Sequence, residues 1–224
     1  MNFLKLTIKQ AMIYSVSIPS PFSPKQAEIF IKSLSTKFQH REETKHEIAK
    51  CIVEVVERTP GNHLVFFPSY HYMQLLVDEL EQLDMKAKMI FQDSEMSEKM
   101  REGFLSEFQP NPPQTLVGFA VLGGSFSEGI DLKGDRLNSV IVIGVGLPQL
   151  CLERSIMKDY FHSIGKNGYN YAYMYPGMNK VLQAGGMLIR SEYDKGKITL
   201  IDDRYLTPDY QSMLPIQWMN YNVL

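Results

Sequence analysis

The chain has 224 residues, of which 44% are hydrophobic, so it is long enough for one sizeable domain with a buried core. Its 23 lysines and arginines nearly balance 25 aspartates and glutamates. The net charge of -2 gives no global attraction to nucleic acid, so any basic site must be local. The two cysteines, Cys51 and Cys151, argue against a disulfide framework and fit a reducing compartment. No apolar run reaches the about 18 residues of a membrane span, so we expect a cytoplasmic protein with no membrane partner.

The start of the chain differs in composition from the rest. Prolines and serines interrupt "SVSIPSPFSPKQAEIF", which is typical of an extended segment rather than of a helix or a core strand. We predict that residues 1–40 are an extended lead-in left from the preceding part of a larger protein. The folded domain is then predicted over residues 41–224.

Helices and strands alternate from residue 42 onwards. Helical spacing of apolar residues in "EETKHEIAKCIVEVVERTPGN" predicts a helix that stops at Pro60-Gly61. The segment "HLVFFPSY" predicts a strand ended by Pro68, and "HYMQLLVDELEQLD" predicts a helix. The segment "AKMIFQ" predicts another strand, and "SEMSEKMREGFLSEF" a helix with Ser94 as its cap.

The second half of the chain contains the longest apolar runs. Residues 115–123 and 139–147 are continuously apolar over the length of a strand, as expected where helices cover both faces of a sheet. Helices are predicted near "PQLCLERSIMKDYFHSIG" and in "LQAGGMLIR", followed by a last strand in "KITLID". Together these elements predict a three-layer α/β domain with a mostly parallel central sheet.

Ligands gather beyond the carboxyl ends of the strands in such sheets, and three segments are expected there. Ser69 follows the strand that Pro68 ends, where a hydroxyl suits either a phosphate or a helix cap. The segment "GGSFSEGIDLKGDRL", residues 123–137, combines glycines with hydroxyls and carboxylates, although an ordinary turn uses the same residues.

The third segment is "LQAGGMLIRSEYDKG". At 3.6 residues per turn, Gln183, Met187 and Arg190 should form one stripe about 10 Å long on a helix. A guanidinium presents a planar fork of donors that suits phosphate oxygens, although most helix arginines are surface ion-pair residues.

Several other functions are disfavoured. The phosphate-loop pattern Gly-x-x-x-x-Gly-Lys-[Ser/Thr] does not occur, and "GVGLPQ" lacks the third glycine of a dinucleotide fingerprint. Asp202 and Asp203 are interpreted as structural strand-end acids. The alternating tyrosines of "GKNGYNYAYMYPGMNK" suit either stacking of single-stranded bases or packing in a half-buried strand or loop.

The order of three segments resembles motifs IV, V and VI of the DinG/XPD-type superfamily 2 DNA helicases. They are "LVFFPSY", "GGSFSEGIDLKGDRLNSVIVIGVGLPQ" and "YPGMNKVLQAGGMLIRSEYDKGKITLIDDRY", and the resemblance covers roughly residues 45–215. It implies the second, C-terminal RecA-like motor domain, which clamps ATP against an N-terminal RecA-like domain. That missing domain is expected to hold the main phosphate and Mg²⁺ site, so this chain alone should be catalytically inert and should contribute no metal ligand.

The resemblance also implies two sets of site residues. The residues implied to contact single-stranded DNA are Ser69, Tyr70, Gly124, Ser125 and Ser127. The residues implied to contact the nucleotide are Glu128, Gly129, Asp131, Gln183 and Arg190. Within the second set, Arg190 is implied to be the catalytic arginine finger, with Gln183 beside it.

Met187 departs from the family pattern, which has arginine at this position. A thioether has no charge and cannot donate a hydrogen bond to a phosphate oxygen. We therefore expect weakened hydrolysis, which Met187→Arg would raise in the full-length protein. Two alternatives stay open: a non-catalytic nucleic-acid-binding or interaction module with a degenerate helicase fold, and a self-sufficient enzyme that holds a metal with Asp202, Asp203 and Glu128.

Overall fold

The computed structural model describes residues 21–124, 126 and 130–224. The strands are β1 (Ala27–Lys32), β2 (Asn62–Phe67), β3 (Lys88–Phe91), β4 (Leu116–Val121), β5 (Ser139–Ile143), β6 (Gly196–Ile201) and β7 (Tyr221–Val223). The helices are α1 (Arg41–Glu57), α2 (Tyr70–Gln82), α3 (Glu98–Ser106), α4 (Leu152–Ser163), α5 (Tyr175–Gly186) and the short α6 (Pro208–Gln211). These described strands form one sheet in the order β3-β4-β2-β5-β6-β1-β7, and all of its pairs are parallel.

Alternation along the strands divides the core between the two faces of the sheet. In β2, Leu64 and Phe66 face one hydrophobic cluster, while Val65 and Phe67 face the other. The first cluster packs against α3 and α5, and the second packs against α1 and α2. Because both faces are covered, β2, β4 and β5 are buried along their whole length. The predicted three-layer α/β fold with a parallel sheet is confirmed.

The predicted lead-in is wrong for residues 27–32. This segment forms β1, which lies between β6 and β7 and buries Ile29 and Ile31 in the core. Prolines and serines end before Ala27, and the short apolar alternation that follows is enough for a strand when two partners flank it. The predicted end of the lead-in at residue 40 therefore cuts off a strand of the sheet, and residues 1–20 lie outside the described part of the chain.

Three further local predictions are wrong. The cap of α3 is Ser97, whose hydroxyl accepts a hydrogen bond from the Met100 N–H, and not Ser94. The tyrosine-rich segment is neither a strand nor a loop, because Asn170–Met174 is a π-helix that leads directly into α5. Helix α5 ends at Gly186, so the predicted helix does not reach Arg190.

No helix in the described ranges is long and apolar enough to cross a membrane.

Candidate functional site

Ser69 and Tyr70 lie at the carboxyl end of β2, as predicted. The Ser69 hydroxyl accepts a hydrogen bond from the Tyr72 N–H at 3.2 Å, so it caps α2. The Tyr70 hydroxyl lies 3.4 Å from the Asp93 carbonyl oxygen, just beyond β3. Burial, followed by the charge of Asp93, raises the pKa of Tyr70 above its ordinary value, so the ring keeps its proton and can donate a hydrogen bond.

Gln92 brings Tyr70 and Gly124 into one surface. Its buried side chain accepts a hydrogen bond from the Val121 N–H at 2.8 Å, which joins the ends of β3 and β4. A Cβ at Gly124 would lie 3.2 Å from Gln92 Nε2, and the Gln92 side chain also hydrogen-bonds Tyr70. Sequence analysis gave Gln92 no role, because a single glutamine after a short strand carries no distinguishing pattern.

Lys180 of α5 lies directly over the neighbouring Gly123. A Cβ at Gly123 would lie 2.7 Å from Lys180 Cε, and the backbone there has a φ of 73°. Glycine therefore allows both the turn and the close approach of the lysine. Burial and the nearby charge of Arg154 lower the pKa of Lys180. This edge thus holds two cations that the predicted DNA-contacting set did not include.

Asp202 ends β6 and is fully buried in a polar network. Its carboxylate accepts hydrogen bonds from Arg204 Nε at 2.7 Å and Arg204 Nη2 at 2.8 Å, and it also accepts one from the Thr36 hydroxyl. Burial alone would raise the pKa of Asp202, but the hydrogen bonds and charge of Arg204 hold it below its ordinary value. The structural interpretation of Asp202 therefore fits its contacts. Among the described residues no three His, Cys, Asp or Glu side chains are grouped to hold a metal ion.

A different arrangement lies at the amino ends of the strands, around Asp194. One carboxylate oxygen accepts hydrogen bonds from the Arg190 and Ser191 N–H groups, both at 2.6 Å. The other oxygen accepts one from the Gly134 N–H at 2.8 Å. Burial opposes ionisation of Asp194, but these N–H donors hold its pKa below the ordinary value. Asp194 therefore ties the Arg190 loop to the segment that follows Asp131.

Gln26 completes this arrangement from the segment predicted to be a lead-in. Its side-chain amide donates hydrogen bonds of 2.9 Å to the carbonyl oxygens of Ser191 and Asp194. Since Gln26 immediately precedes β1 and Asp194 precedes β6, the Arg190 loop lies at the amino edge of the sheet. Gln26 and Asp194 are site residues that sequence analysis missed, although the Asp-x-Gly after Arg190 was a visible signal.

Arg190 and Gln183 are both exposed to solvent, but they do not share a helix. The Met187 side chain is only 1% exposed and lies in the core between them. The predicted stripe of Gln183, Met187 and Arg190 is therefore wrong, because the helix ends before it could form. The expected position of Arg190 at the carboxyl edge is also wrong, since the sheet orients its loop to the opposite edge.

Only some of the residues implied to contact the nucleotide lie in the described part of the chain. Asp131 is exposed, and its carboxylate lies 3.1 Å from Lys133 Nζ. It stands three residues before Gly134, whose N–H donates to the Asp194 carboxylate beside Arg190. The predictions for Ser125, Ser127, Glu128 and Gly129 lie outside the described residues.

Comparison with known proteins gives a family and two sets of relatives. The model of the helicase C-terminal domain matches residues 52–221. DinG of Photobacterium profundum, named an ATP-dependent DNA helicase, is 31% identical over 204 residues, which cover 89% of this chain and 28% of that protein. CHL1 of Debaryomyces hansenii, also named an ATP-dependent DNA helicase, is 29% identical over 187 residues, which cover 75% of this chain and 23% of that protein. This chain thus spans about a quarter of the length of these relatives.

Solved structures share the fold. Two named XPD_APO and XPD_Helicase superpose with TM-scores of 0.73 and 0.71, at 18% and 19% sequence identity. They cover 89% and 88% of this chain, which in turn corresponds to 40% and 35% of theirs. The likeness confirms the predicted RecA-like fold of the DinG/XPD type.

Proposed function

The chain belongs to the helicase C-terminal domain family, and on that premise we propose that it is the C-terminal motor domain of an ATP-dependent DNA helicase. It acts with an N-terminal RecA-like domain of the same protein. Its carboxyl edge contacts single-stranded DNA through Ser69, Tyr70 and Gly124, and the resemblance adds Ser125 and Ser127, which lie outside the described residues. Its amino edge contacts the nucleotide through Gln183 and Arg190. The similarity to DinG and CHL1 supports this assignment, and a cytoplasmic location stays a prediction.

The observation that carries the proposal is the exposed Arg190 on a loop fixed by Asp194. Three backbone N–H groups satisfy the Asp194 carboxylate, so that carboxylate orders the loop without pairing with the guanidinium. A guanidinium in this position can stabilise negative charge on the phosphoryl group as it is transferred, which is worth orders of magnitude in rate in related nucleotide hydrolases. Gln183 can donate to or accept from the same ligand.

ATP is the proposed substrate, and Mg²⁺ would be held outside this chain. The side chains of Arg190 and Gln183 suit phosphate oxygens, so this chain would contact the nucleotide through its phosphates. Mg²⁺ on the N-terminal domain would neutralise the charge of the β- and γ-phosphates. The role of this chain is then to complete the nucleotide site when the two domains close, which couples hydrolysis to movement along DNA.

The test compares ATP hydrolysis by the 224-residue chain with that of the longer protein containing the N-terminal RecA-like domain. We expect no DNA-stimulated hydrolysis by the chain alone and clear stimulation by single-stranded DNA in the longer protein. Appreciable turnover by the chain alone would contradict a nucleotide site shared between two domains.

A second function is favoured by one observation, the buried Met187. With methionine where the family pattern has arginine, the chain would be a nucleic-acid-binding or interaction module that retains a degenerate helicase fold. The same experiment separates the two functions, because such a module in the longer protein binds DNA with an affinity that ATP does not change and hydrolyses no ATP in response.

A further inference from the structure

A cavity of about 140 Å³ opens at the carboxyl edge, beside the predicted DNA contacts. The chain supplies its wall from the ends of four strands: residues 36–41 after β1, Pro68 after β2, residues 144–147 after β5, and Arg204 after β6. Pro68 is the neighbour of Ser69 in the chain, so the cavity continues the surface that contains Ser69 and Tyr70. The predicted site residues include none of the cations that line it.

The cavity carries a surplus of positive charge. Its three cationic side chains are Lys37, Arg41 and Arg204, and the carboxylates facing them are Asp202 and Asp203. Arg204 is paired with Asp202, and Lys37 Nζ lies 3.7 Å from Asp203 Oδ2. No carboxylate of the described residues forms an ion pair with Arg41, which leaves one uncompensated positive charge at the mouth.

Arg41 is held in place by neutral groups. Its Nε donates to the Thr36 carbonyl oxygen at 3.3 Å, and its guanidinium carbon lies 4.1 Å from the centroid of the Tyr72 ring. The guanidinium is therefore oriented by a hydrogen bond and a cation–π contact. Its remaining N–H donors can bind a ligand oxygen, and their planar arrangement suits the oxygens of a phosphate.

Residues 144–147 after β5 also line the cavity, and two of the four are glycines. Gly144 and Gly146 have φ values of 79° and 64°, a region that favours glycine. A Cβ at Gly146 would lie 2.6 Å from the Gly177 carbonyl oxygen, so a side chain there would displace α5. The glycines hold the loop close to the sheet, and no side chain from them fills the cavity.

An aromatic ring stands at the rim of the cavity. Phe38 is 80% exposed, and its ring centroid lies 5.6 Å from the Arg41 guanidinium carbon. An exposed ring beside grouped cations is the combination with which proteins bind single strands, since the ring stacks on a base while the cations bind phosphate. A free phosphate would use the cations but has no base to stack on Phe38.

We propose that Lys37, Arg41 and Arg204 bind a phosphate of single-stranded DNA, and that Phe38 stacks on an adjacent base. This inference rests on the proposed function, since it extends the DNA-contacting edge from Ser69 toward β1. It assigns a role to the segment from the end of β1 to the first turn of α1, which sequence analysis placed outside or at the boundary of the domain.

The test measures binding of a labelled oligothymidylate of about 12 nucleotides to the 224-residue chain by fluorescence anisotropy over a range of salt concentrations. We expect Lys37→Glu and Arg41→Gln each to weaken binding about five- to tenfold, and to reduce the slope of log affinity against log salt by about 0.7 per lost phosphate contact. Phe38→Ala should weaken binding at least about fivefold with no change in that slope.

Matched variants supply the controls. Lys86→Glu reverses the charge of an exposed lysine on the amino side of β3, and Ile216→Ala shortens an equally exposed apolar side chain before β7. Both should bind as the wild type does. Lys37 is at the surface, so its substitution tests the site even if Arg41→Gln fails to fold. Arg41→Lys should restore part of the affinity.

Three outcomes overturn the inference. In the first, the wild-type chain binds no oligothymidylate at low salt. In the second, the Lys37→Glu and Phe38→Ala variants bind like the controls. In the third, inorganic phosphate stabilises the chain against heat in a way that depends on Lys37, and the oligonucleotide does not bind. The last would assign the cavity to free phosphate. A separate measurement tests the proposed function in each of these cases. If DNA stimulates ATP hydrolysis by the longer protein, the proposed function still holds, and if it does not, the proposed function is contradicted as well.

Discussion

The two edges of the sheet hold their polar side chains in opposite ways. At the carboxyl edge, the partly buried Lys180 lies close over Gly123, and the partly buried Arg204 is paired with the buried Asp202 carboxylate. At the amino edge, the buried Asp194 carboxylate accepts hydrogen bonds from three backbone N–H groups, and Arg190 stays exposed. A carboxylate that orders backbone leaves the charge of a neighbouring arginine uncompensated, whereas a carboxylate that pairs with an arginine, as Asp202 does with Arg204, orients that arginine and offsets its charge. Under the proposed function, the nucleotide binds at the amino edge and single-stranded DNA binds at the carboxyl edge.

The largest expected effect is at Arg190. In the longer protein, Arg190→Ala should lower the rate of DNA-stimulated ATP hydrolysis about a thousandfold or more, because an arginine finger is lost. The affinity for oligothymidylate should stay within about twofold, since Arg190 lies away from the strand-binding edge. Steady-state hydrolysis and anisotropy measure the two quantities.

Arg58→Ala is the control for this substitution, because Arg58 is an exposed arginine at the end of α1. It should leave the hydrolysis rate unchanged. If Arg190→Ala lowered the affinity for DNA as much as it lowered the rate of hydrolysis, DNA and nucleotide would share one site. That result would contradict the division of the two ligands between the two edges.

Met187→Arg is expected to have the next largest effect, and on stability. The side chain is buried in the core, so a guanidinium there should cost about 3 kcal/mol or more in the free energy of unfolding. Urea unfolding of the 224-residue chain measures this cost. Met100→Arg, at an exposed methionine of α3, should cost little.

This expectation competes with the one from the family pattern, in which arginine at position 187 raises the ATPase rate. Unchanged stability together with faster hydrolysis in the longer protein would show that the side chain leaves the core and reaches the phosphates. The nucleotide-facing edge would then extend from Arg190 back to the end of α5.

The amino edge also contains a buried histidine, which should make stability depend on pH. His63, at the start of β2, forms one hydrogen bond with the Thr59 carbonyl oxygen at 2.6 Å. Burial lowers its pKa from 6.5 to about 4. The unfolded chain then binds the proton first as pH falls, so stability is complete above pH 6.5 and decreases toward pH 4, by roughly 2 kcal/mol between pH 7 and 5.

Urea unfolding at a series of pH values measures this dependence. His63→Gln should flatten the profile between about pH 7 and 5, whereas His71→Gln, at an exposed site on α2, should retain it. Asp202 at the carboxyl edge has a lowered pKa, so its contribution is lost only under more acidic conditions. An unchanged profile in His63→Gln would mean that another group carries the acid sensitivity.

The smallest expected effect separates the two roles of Ser69. Ser69→Ala should cost about 1 kcal/mol in stability through loss of the α2 cap. Ser69→Asp keeps a capping oxygen, so stability should hold, while its negative charge should weaken oligothymidylate binding several-fold. Ser97→Ala removes the α3 cap and should affect stability alone. If Ser69→Asp binds DNA like the wild type, Ser69 is a cap and nothing more.

Local pattern predicted most of the fold because the signals are short in range. Apolar runs of strand length and helical spacing correctly indicated β2, β4, β5, α1 and α2. The strand β1 was missed because its stability comes from β6 and β7, which are distant in the sequence. The end of α5 was missed because the helical spacing of Gln183, Met187 and Arg190 was given more weight than Gly185 and Gly186, which are a local helix-stop signal. After these glycines, the Met187 and Leu188 side chains pack into the core.

The sequence by itself determined the fold class, the family resemblance and the identities of Ser69, Tyr70, Gly124, Asp131, Gln183 and Arg190 as candidate site residues. Sequence order correctly predicted Ser69 and Tyr70 at the carboxyl edge, but only the tertiary structure decided that Arg190 lies at the amino edge. Helical spacing placed Arg190 in line with Gln183, but the edge of a parallel sheet at which a loop lies depends on strand order and direction. The fold also brought Gln26 and Gly134 to Asp194 across the chain, a contact between distant residues that no local pattern encodes.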